Sequence, residues 1–245
     1  MATLITEQGT PYRDRITVKD LVSFTIIIKE TNLLICADTI LEKEAQEAVV
    51  HYRYQIEDYI RRYPYFLSSL TPLPFDESAP PIVQEMLRAG HLARVGPMAS
   101  VAGALAEMVG KDLLAHTTQV VVENGGDIFL KVAKDVTAGI YAGNSPLSNK
   151  LGLKIPSART PIGVCTSSGT VGHSLSFGSS DAVTVVATST SLADAAATSI
   201  GNLIKNKRDI DTGLARARDI EGVVGVLIIV DDQFGAWGSI EIVST

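Results

Sequence analysis

Cysteine is scarce in this 245-residue sequence: Cys36 and Cys165 are the two present, far apart and outside any Cys-x-x-Cys pair. That excludes a zinc knuckle and a disulfide framework. Positive charge is also short, with 21 Lys and Arg against 27 Asp and Glu and a formal net charge of -6, so the footprint of a duplex nucleic-acid binder is missing. No apolar run approaches the ~18 residues of a membrane span, and Met1 to Gln8 has neither a basic nor an apolar leader region. The expectation is a cytoplasmic protein in a reducing compartment, with no nucleic-acid or membrane partner. Even the most apolar run, Val223 to Val230, is short, contains Gly225 and stops at Asp231-Asp232, as a buried strand does. What is present, 46% hydrophobic and 20% charged residues, is the balance of a soluble chain with a sizeable core.

Residues 14 to 37 read as a hairpin, with Thr31-Asn32 separating two β-branched runs. From Leu41 to Tyr63 apolar positions recur every three or four residues and predict an amphipathic helix stopped by Pro64. A proline-bearing loop, 68 to 81, leads to a second helix over 82–93. Gly, Ala, Ser and Thr then dominate. A third helix is expected over 99–109, strands over 119–123 and 127–132, a strand over 182–188 and a helix over 192–204. The last hairpin pairs 223–230 with 236–243. Strand pairs separated by helix pairs predict an α+β fold on antiparallel sheet. We expect one domain over 1–245, within which a hairpin-plus-helix unit, 1–81, could be set off from a ligand-binding core, 82–245.

Several segments carry chemistry. Gly96 to Ala106 places Ala99, Ala102, Gly103 and Ala106 on one helix face, which suits close packing or a helix N-terminus whose N–H groups meet an anion. Glu123-Asn124-Gly125-Gly126-Asp127 is a hairpin turn with acidic and amide groups on both flanks of its glycines, fit to face a ligand. Thr166-Ser167-Ser168-Gly169-Thr170-Val171-Gly172-His173-Ser174 gathers hydroxyls, glycines and an imidazole without lysine, and is no Walker A loop. A hydrolase built on Ser168 or Cys165 with His173 and Asp181 lacks the Gly-x-Ser-x-Gly elbow. Between Thr160 and Ile204 the charged residues are Asp181 and Asp194; so long an uncharged stretch is deeply buried or lines a site. Asp194 fits two roles. Ser191-x-x-Asp194 matches a capping box, while Asp194 and Thr198, four apart, could supply two oxygens to Mg²⁺. The Tyr and Arg residues between Tyr52 and Tyr63 follow the helix period and read as core face plus solvated flank rather than a base-stacking platform.

Three of these segments, in this order, resemble the ApbE-like superfamily, whose best-known members are FAD:protein FMN transferases. Val121 to Ile128 is similar to the family's Asn-x-Gly-Gly-Asp strand-turn, Thr166 to Gly169 to its Thr-Ser-Gly loop, and Ala193 to Thr198 to its Ala-Asp-Ala-x-x-Thr helix. The whole chain resembles a shorter branch carrying Val95 to Ala99 and Ser167 to Ser174 as further phrases. The resemblance implies a T-fold-like α+β arrangement of antiparallel sheets packed with helices. It implies Mg²⁺ held by Asp194 and Thr198, and FAD or FMN as ligand or substrate near Gly96, Ala99, Asn124, Gly125, Gly126, Asp127, Thr166, Ser167, Ser168 and Gly169. His173 and Asp127 become the candidate catalytic groups for a transferase or FAD pyrophosphatase, with a protein acceptor as a further partner. Where the transferases continue with His-Ile-x-Asp-Pro-x-Thr-Gly, this chain reads His173-Ser174-Leu175-Ser176-Phe177-Gly178, and it lacks the lysine of their Gly-Gly-Ile-Ala-Lys-Gly segment. The alternative is a non-catalytic nucleotide-binding or assembly protein on the same fold. Hairpin edges that need cover predict a homo-oligomer.

Overall fold

The computed structural model of the chain describes residues 3–4, 18, 20–170 and 178–245. Strands β2 (Val22–Ile28) and β3 (Thr31–Ala37) follow a short β1 (Thr3–Leu4) and form the expected hairpin. Its turn is Lys29-Glu30 rather than Thr31-Asn32, because Thr31 pairs with Ile28 and its buried hydroxyl accepts a bond from Arg53 of the first helix. That helix, α1 (Glu42–Arg62), buries Ala45, Val49, Ile56 and Tyr59 and ends before Pro64, which disfavours helical geometry at Tyr63. The short α2 (Tyr65–Ser68) and α3 (Pro81–Ala93), which opens on a proline as helix starts allow, lead to a 3₁₀ turn at Pro97–Ser100 and α4 (Val101–Leu113). The helix expected from residue 99 therefore starts at 101 and runs on to a fully buried Leu113.

The remaining elements in chain order are β4 (Val120–Asn124), β5 (Asp127–Lys131), β6 (Val136–Gly139), β7 (Leu151–Ile155), β8 (Ile162–Ser167), β9 (Ala182–Ala187), α5 (Thr190–Gly201), α6 (Ile210–Arg218), β10 (Val223–Val230), β11 (Gln233–Gly238) and β12 (Glu241–Ser244). The C-terminal hairpin differs from expectation. β10 pairs with β11 only as far as Gly238, whose φ of 100° and close approach to the Val224 carbonyl turn the chain away. β12 then pairs with β7 in another sheet.

The described strands make two sheets. One has eight strands in the order β11-β10-β9-β8-β5-β4-β3-β2, antiparallel throughout; the other has four, β1-β6-β7-β12, in which β1 runs parallel to β6. Helices cover one face of the large sheet and the small sheet covers the other. Val226, Ile228 and Val230 of β10 thus pack with α5 and α6, while Leu227 and Ile229 pack with Leu153 and Ile155 of the small sheet. Burial on both faces explains why β10 is an unbroken apolar run in an antiparallel sheet. At the other end, Phe129, Val122 and Val109 join α1 and α4 to the sheet, and truncating a fully buried leucine such as Leu33 there would cost about 2–5 kcal/mol. Among the described residues no single helix is long and apolar enough to cross a membrane.

Candidate functional site

Every residue of α5 from Thr190 to Gly201 is buried except two, Asp194 and Thr198. One helical turn apart, they share a face, so a helix otherwise enclosed by protein opens along a stripe made of one carboxylate and one hydroxyl.

Asp194 does not cap its own helix. The N-cap is Ser189, whose Oγ accepts from the Leu192 N–H at 3.3 Å. The other amide groups at that end are taken by Glu107 of α4: its Oε2 accepts from Thr190 N at 2.7 Å, Ser191 N at 3.1 Å and Ser189 Oγ at 2.9 Å. Asp194 instead closes the start of α4, its Oδ2 accepting from Gly103 N at 2.9 Å with the Ala102 amide adding a second bond. Of the two readings of this helix start, close packing or N–H groups facing an anion, the structure shows close packing at Gly103, with the Gly103 N–H meeting the chain's own carboxylate. Gly103 is required by this contact, since a Cβ there would lie 2.4 Å from the Thr190 carbonyl oxygen and 2.8 Å from the Asp194 Cβ.

The β4–β5 turn reaches the same place. Gly125 and Gly126 have φ of 63° and 107°, and Asn124 pairs with Asp127 across them, as a two-residue hairpin with two positive-φ positions requires. The turn is tied on one side to α4, where Asn124 Nδ2 donates to Ala102 O at 3.1 Å, and on the other to β8, where Thr166 N donates to Gly126 O at 3.2 Å. Thr166 Oγ1 shares a 2.9 Å bond with Thr184, and Gly126 N donates to the buried Glu123 carboxylate at 3.0 Å. Beyond Gly125 the space is open.

Asp127 sits opposite Cys165 in the β5–β8 register, and the Cys165 thiol bonds both the Asp127 carboxylate and, at 3.4 Å, the Thr190 carbonyl. Burial, then the charge of Asp194, holds the Asp127 carboxyl well above the usual carboxylate range. Burial pushes Asp194 up to about 7, against the lowering effect of the Gly103 and Ala102 amides. Burial and the carboxylates of Asp127 and Asp194 raise Cys165 as well. Neither aspartate has a lysine or arginine partner among the described residues. Two neighbouring acids in low dielectric without a counter-ion share protons or take up a cation.

Ser167 ends β8 and Ser168 follows it, both half-buried. Gly169 N donates to Ser180 O at 2.9 Å, and a Cβ at Gly169 would lie 2.2 Å from the Gly178 carbonyl oxygen and one at Gly178 2.0 Å from the Gly201 carbonyl oxygen, so these two glycines sit tightly against the end of α5. The structure thus brings together Asn124, Gly125, Gly126, Asp127, Thr166, Asp194 and the start of α4, with Ser167, Ser168 and Gly169 adjoining. Gly96 has a packing role, as a Cβ there would strike the Ser69 carbonyl, and Ala99 packs with Ala93 and Ala195. His173 lies outside the described residues. Glu107 escaped sequence reasoning, although the signal existed: it is the one charged residue between Val101 and Gly110 of a helix that is otherwise small or apolar.

The chain matches the family model described as AbpE bacteria over residues 13–232. It belongs to that family. A UPF0280 protein of Methanocaldococcus jannaschii is 47% identical over 227 residues, covering 90% of this chain and 92% of that relative. A UPF0280 protein of Methanosarcina acetivorans is 39% identical over 216 residues, covering 87% of this chain and 85% of its own. Among solved structures, the flavin transferase ApbE from Vibrio cholerae is similar with a TM-score of 0.59 at 16% identity, covering 89% of this chain and 97% of that one. The apo flavinyl transferase ApbE of Pseudomonas stutzeri is similar with a TM-score of 0.55 at 14% identity, covering 89% and 93%. At those identities the likeness is one of fold, and it bears out the α+β architecture. The AbpE-family chain thus keeps that architecture around a buried aspartate, Asp127, and a half-buried one, Asp194.

Proposed function

We propose that this chain binds a flavin nucleotide, FAD or FMN, together with Mg²⁺. The observation that carries the reading is the Asp194–Thr198 stripe, the opening in a helix otherwise buried, with Asp127 beside it and, among the described residues, no lysine or arginine paired to either acid. Among the described residues no three His, Cys, Asp or Glu side chains are grouped to hold a metal, so a cation would complete its shell from hydroxyl, backbone and nucleotide oxygens. That donor set suits a hard ion such as Mg²⁺, which keeps few protein carboxylates and shares its shell with phosphates. The donors available around the nucleotide are neutral: the Asn124 amide, the Thr166, Ser167 and Ser168 hydroxyls, and the open backbone at Gly125.

The metal, when bound, neutralises pyrophosphate charge. The chain's residues supply the rest. Asp127, held protonated more readily than an ordinary carboxylate, is placed to exchange a proton near the phosphates, and the glycine turn lets the nucleotide approach the backbone. In the transfer reaction a protein hydroxyl forms a bond to the FMN phosphorus, the pyrophosphate P–O bond breaks, AMP departs, and the hydroxyl proton passes to a base, the ionised form of Asp127 or neutral His173. The fold shared with flavin transferases supports this choice. The sequence from His173 to Gly178, which lacks the Asp-Pro and Thr-Gly of those enzymes, favours a second reading in which the nucleotide is held without turnover.

Calorimetric titration with FAD and FMN tests the binding. Tighter binding in Mg²⁺ than in EDTA is expected, and no binding of either flavin with or without metal would overturn the reading. AMP release from FAD, followed chromatographically, separates the transferase or pyrophosphatase from the holding protein.

A further inference from the structure

We infer that Glu107 is a positioning residue for the Asp194 site, acting through the start of α5. The inference rests on the metal-binding reading above for its consequence, and on the geometry of two helices for its substance.

Glu107 is buried in the middle of α4, and its two oxygens face different ways. Oε2 gathers the Ser189 hydroxyl, the Thr190 amide and the Ser191 amide between 2.7 and 3.1 Å, with the Ser191 hydroxyl at 3.4 Å. Oε1 accepts from Lys111 Nζ at 2.7 Å, one turn on and half-exposed. A carboxylate at a helix N-terminus is favoured by the unpaired amides and the helix dipole. Here it belongs to a different helix, so the bonds fix where α5 begins relative to α4. Asp194, just over one turn into α5, is returned by that placement to the Gly103 amide at the start of α4. The two carboxylates form a closed circuit: Glu107 of α4 caps α5, and Asp194 of α5 caps α4.

The circuit has little slack. Gly103 touches the Thr190 carbonyl, Gly163 of β8 would collide with Thr190 Cα if it carried a Cβ, and the Cys165 thiol donates to the Thr190 carbonyl. Release of the Thr190 and Ser191 amides therefore moves the turn that bears Asp194. Residues that orient a metal ligand are worth about 10–100-fold in metal affinity.

The test uses Mn²⁺ as a paramagnetic probe, with affinity read by electron paramagnetic resonance, and amide hydrogen exchange at Gly103 as a readout independent of metal. Glu107→Asp shortens the reach to the α5 amides, and we expect at least tenfold weaker Mn²⁺ binding and faster exchange at Gly103, with β10 amides unchanged. Glu107→Gln, which keeps one acceptor oxygen, should recover most of the affinity. Lys111→Met, which leaves Oε2 and its bonds in place, should bind Mn²⁺ like the wild type. Exchange that quickens in β10 as much as at Gly103 would reduce Glu107 to a general structural residue and overturn the inference, as would unchanged Mn²⁺ affinity in Glu107→Asp. Should the wild type bind no Mn²⁺, the metal-binding reading fails by itself. Gly103 exchange in Glu107→Asp then still decides whether Glu107 holds Asp194 in place, faster exchange supporting it and unchanged exchange overturning it.

Discussion

The carboxylate of Asp194 lies 2.9 Å from the amide nitrogen of Gly103, so the acid offered for metal binding is also the cap of a neighbouring helix. The Gly103 amide is bonded to Oδ2, and a carboxylate oxygen has more than one lone pair, so the cap does not by itself use up the acid's capacity as a ligand. A residue at position 103 larger than glycine would press on both α5 and this carboxylate.

Gly103→Ala should therefore destabilise the protein by about 1–3 kcal/mol, the usual range for overpacking, and should weaken divalent-metal binding at the same time. Urea denaturation and calorimetry on the one variant check both. A stable variant with intact metal affinity would show that the helices can part without disturbing Asp194.

Thr198→Val keeps the shape of the side chain and removes its oxygen. We expect a near wild-type melting temperature and a loss of Mg²⁺ affinity of about tenfold, or about 1.4 kcal/mol. Unchanged affinity would make the Asp194–Thr198 stripe an accident of helix packing.

The paired acids give metal-free protein a pH dependence of defined sign. Their folded pKa values lie above the ordinary carboxylate range, to about 7 at Asp194, so between pH about 4 and 7 the folded chain keeps protons that the unfolded chain releases. Stability should fall as pH rises through that window. Added Mg²⁺ should restore it above pH 7 and do little at pH 5, and Asp194→Asn should flatten the Asp194 share of the slope. Melting curves from pH 4 to 8 in EDTA and in Mg²⁺ decide the matter; a metal-free protein whose stability rises from pH 5 to 8 would contradict the placement of these acids.

Asp38 provides the opposite sign away from the site. It joins the end of β3 to the strand entry at Gln119 by accepting from the Thr118 hydroxyl at 2.7 Å, the Thr117 hydroxyl at 2.8 Å and Gln119 Nε2 at 3.0 Å. The Thr118 hydroxyl leads the effects that lower its pKa to about 2. Its contribution is present above the unfolded value near 4 and is lost as pH falls toward 2. Asp38→Asn should be less stable than wild type at pH 6, with the gap closing by pH 2 in denaturant midpoints. A gap independent of pH would remove the charge from the explanation.

Strand and helix identities were largely legible where one period ran uninterrupted, as in α1, α3, β4, β5 and β10. The short strands β6, β7 and β8 and the helix α6 were not, because four to nine residues with glycines give too few repeats to establish a period. The C-terminal hairpin was misread at Gly238, where positive φ and contact with Val224, rather than any change in hydropathy, send the strand to the other sheet. At the site, Asn124 to Asp127 and Asp194 with Thr198 were legible from residue type and spacing. The cap at the start of α5 was not: Ser191-x-x-Asp194 fits a capping box, but Glu107, 84 residues before Ser191, takes that amide, and local pattern carries no record of a partner so distant.

Crystals of the protein soaked with Mn²⁺ and FAD, measured for anomalous scattering at the manganese edge, test the central claim most directly. The account predicts an anomalous peak in coordination contact with oxygens of both Asp194 and Thr198, with nucleotide density running toward Gly125 and Ser168. A peak elsewhere, or bound nucleotide with no metal between it and Asp194, would contradict it.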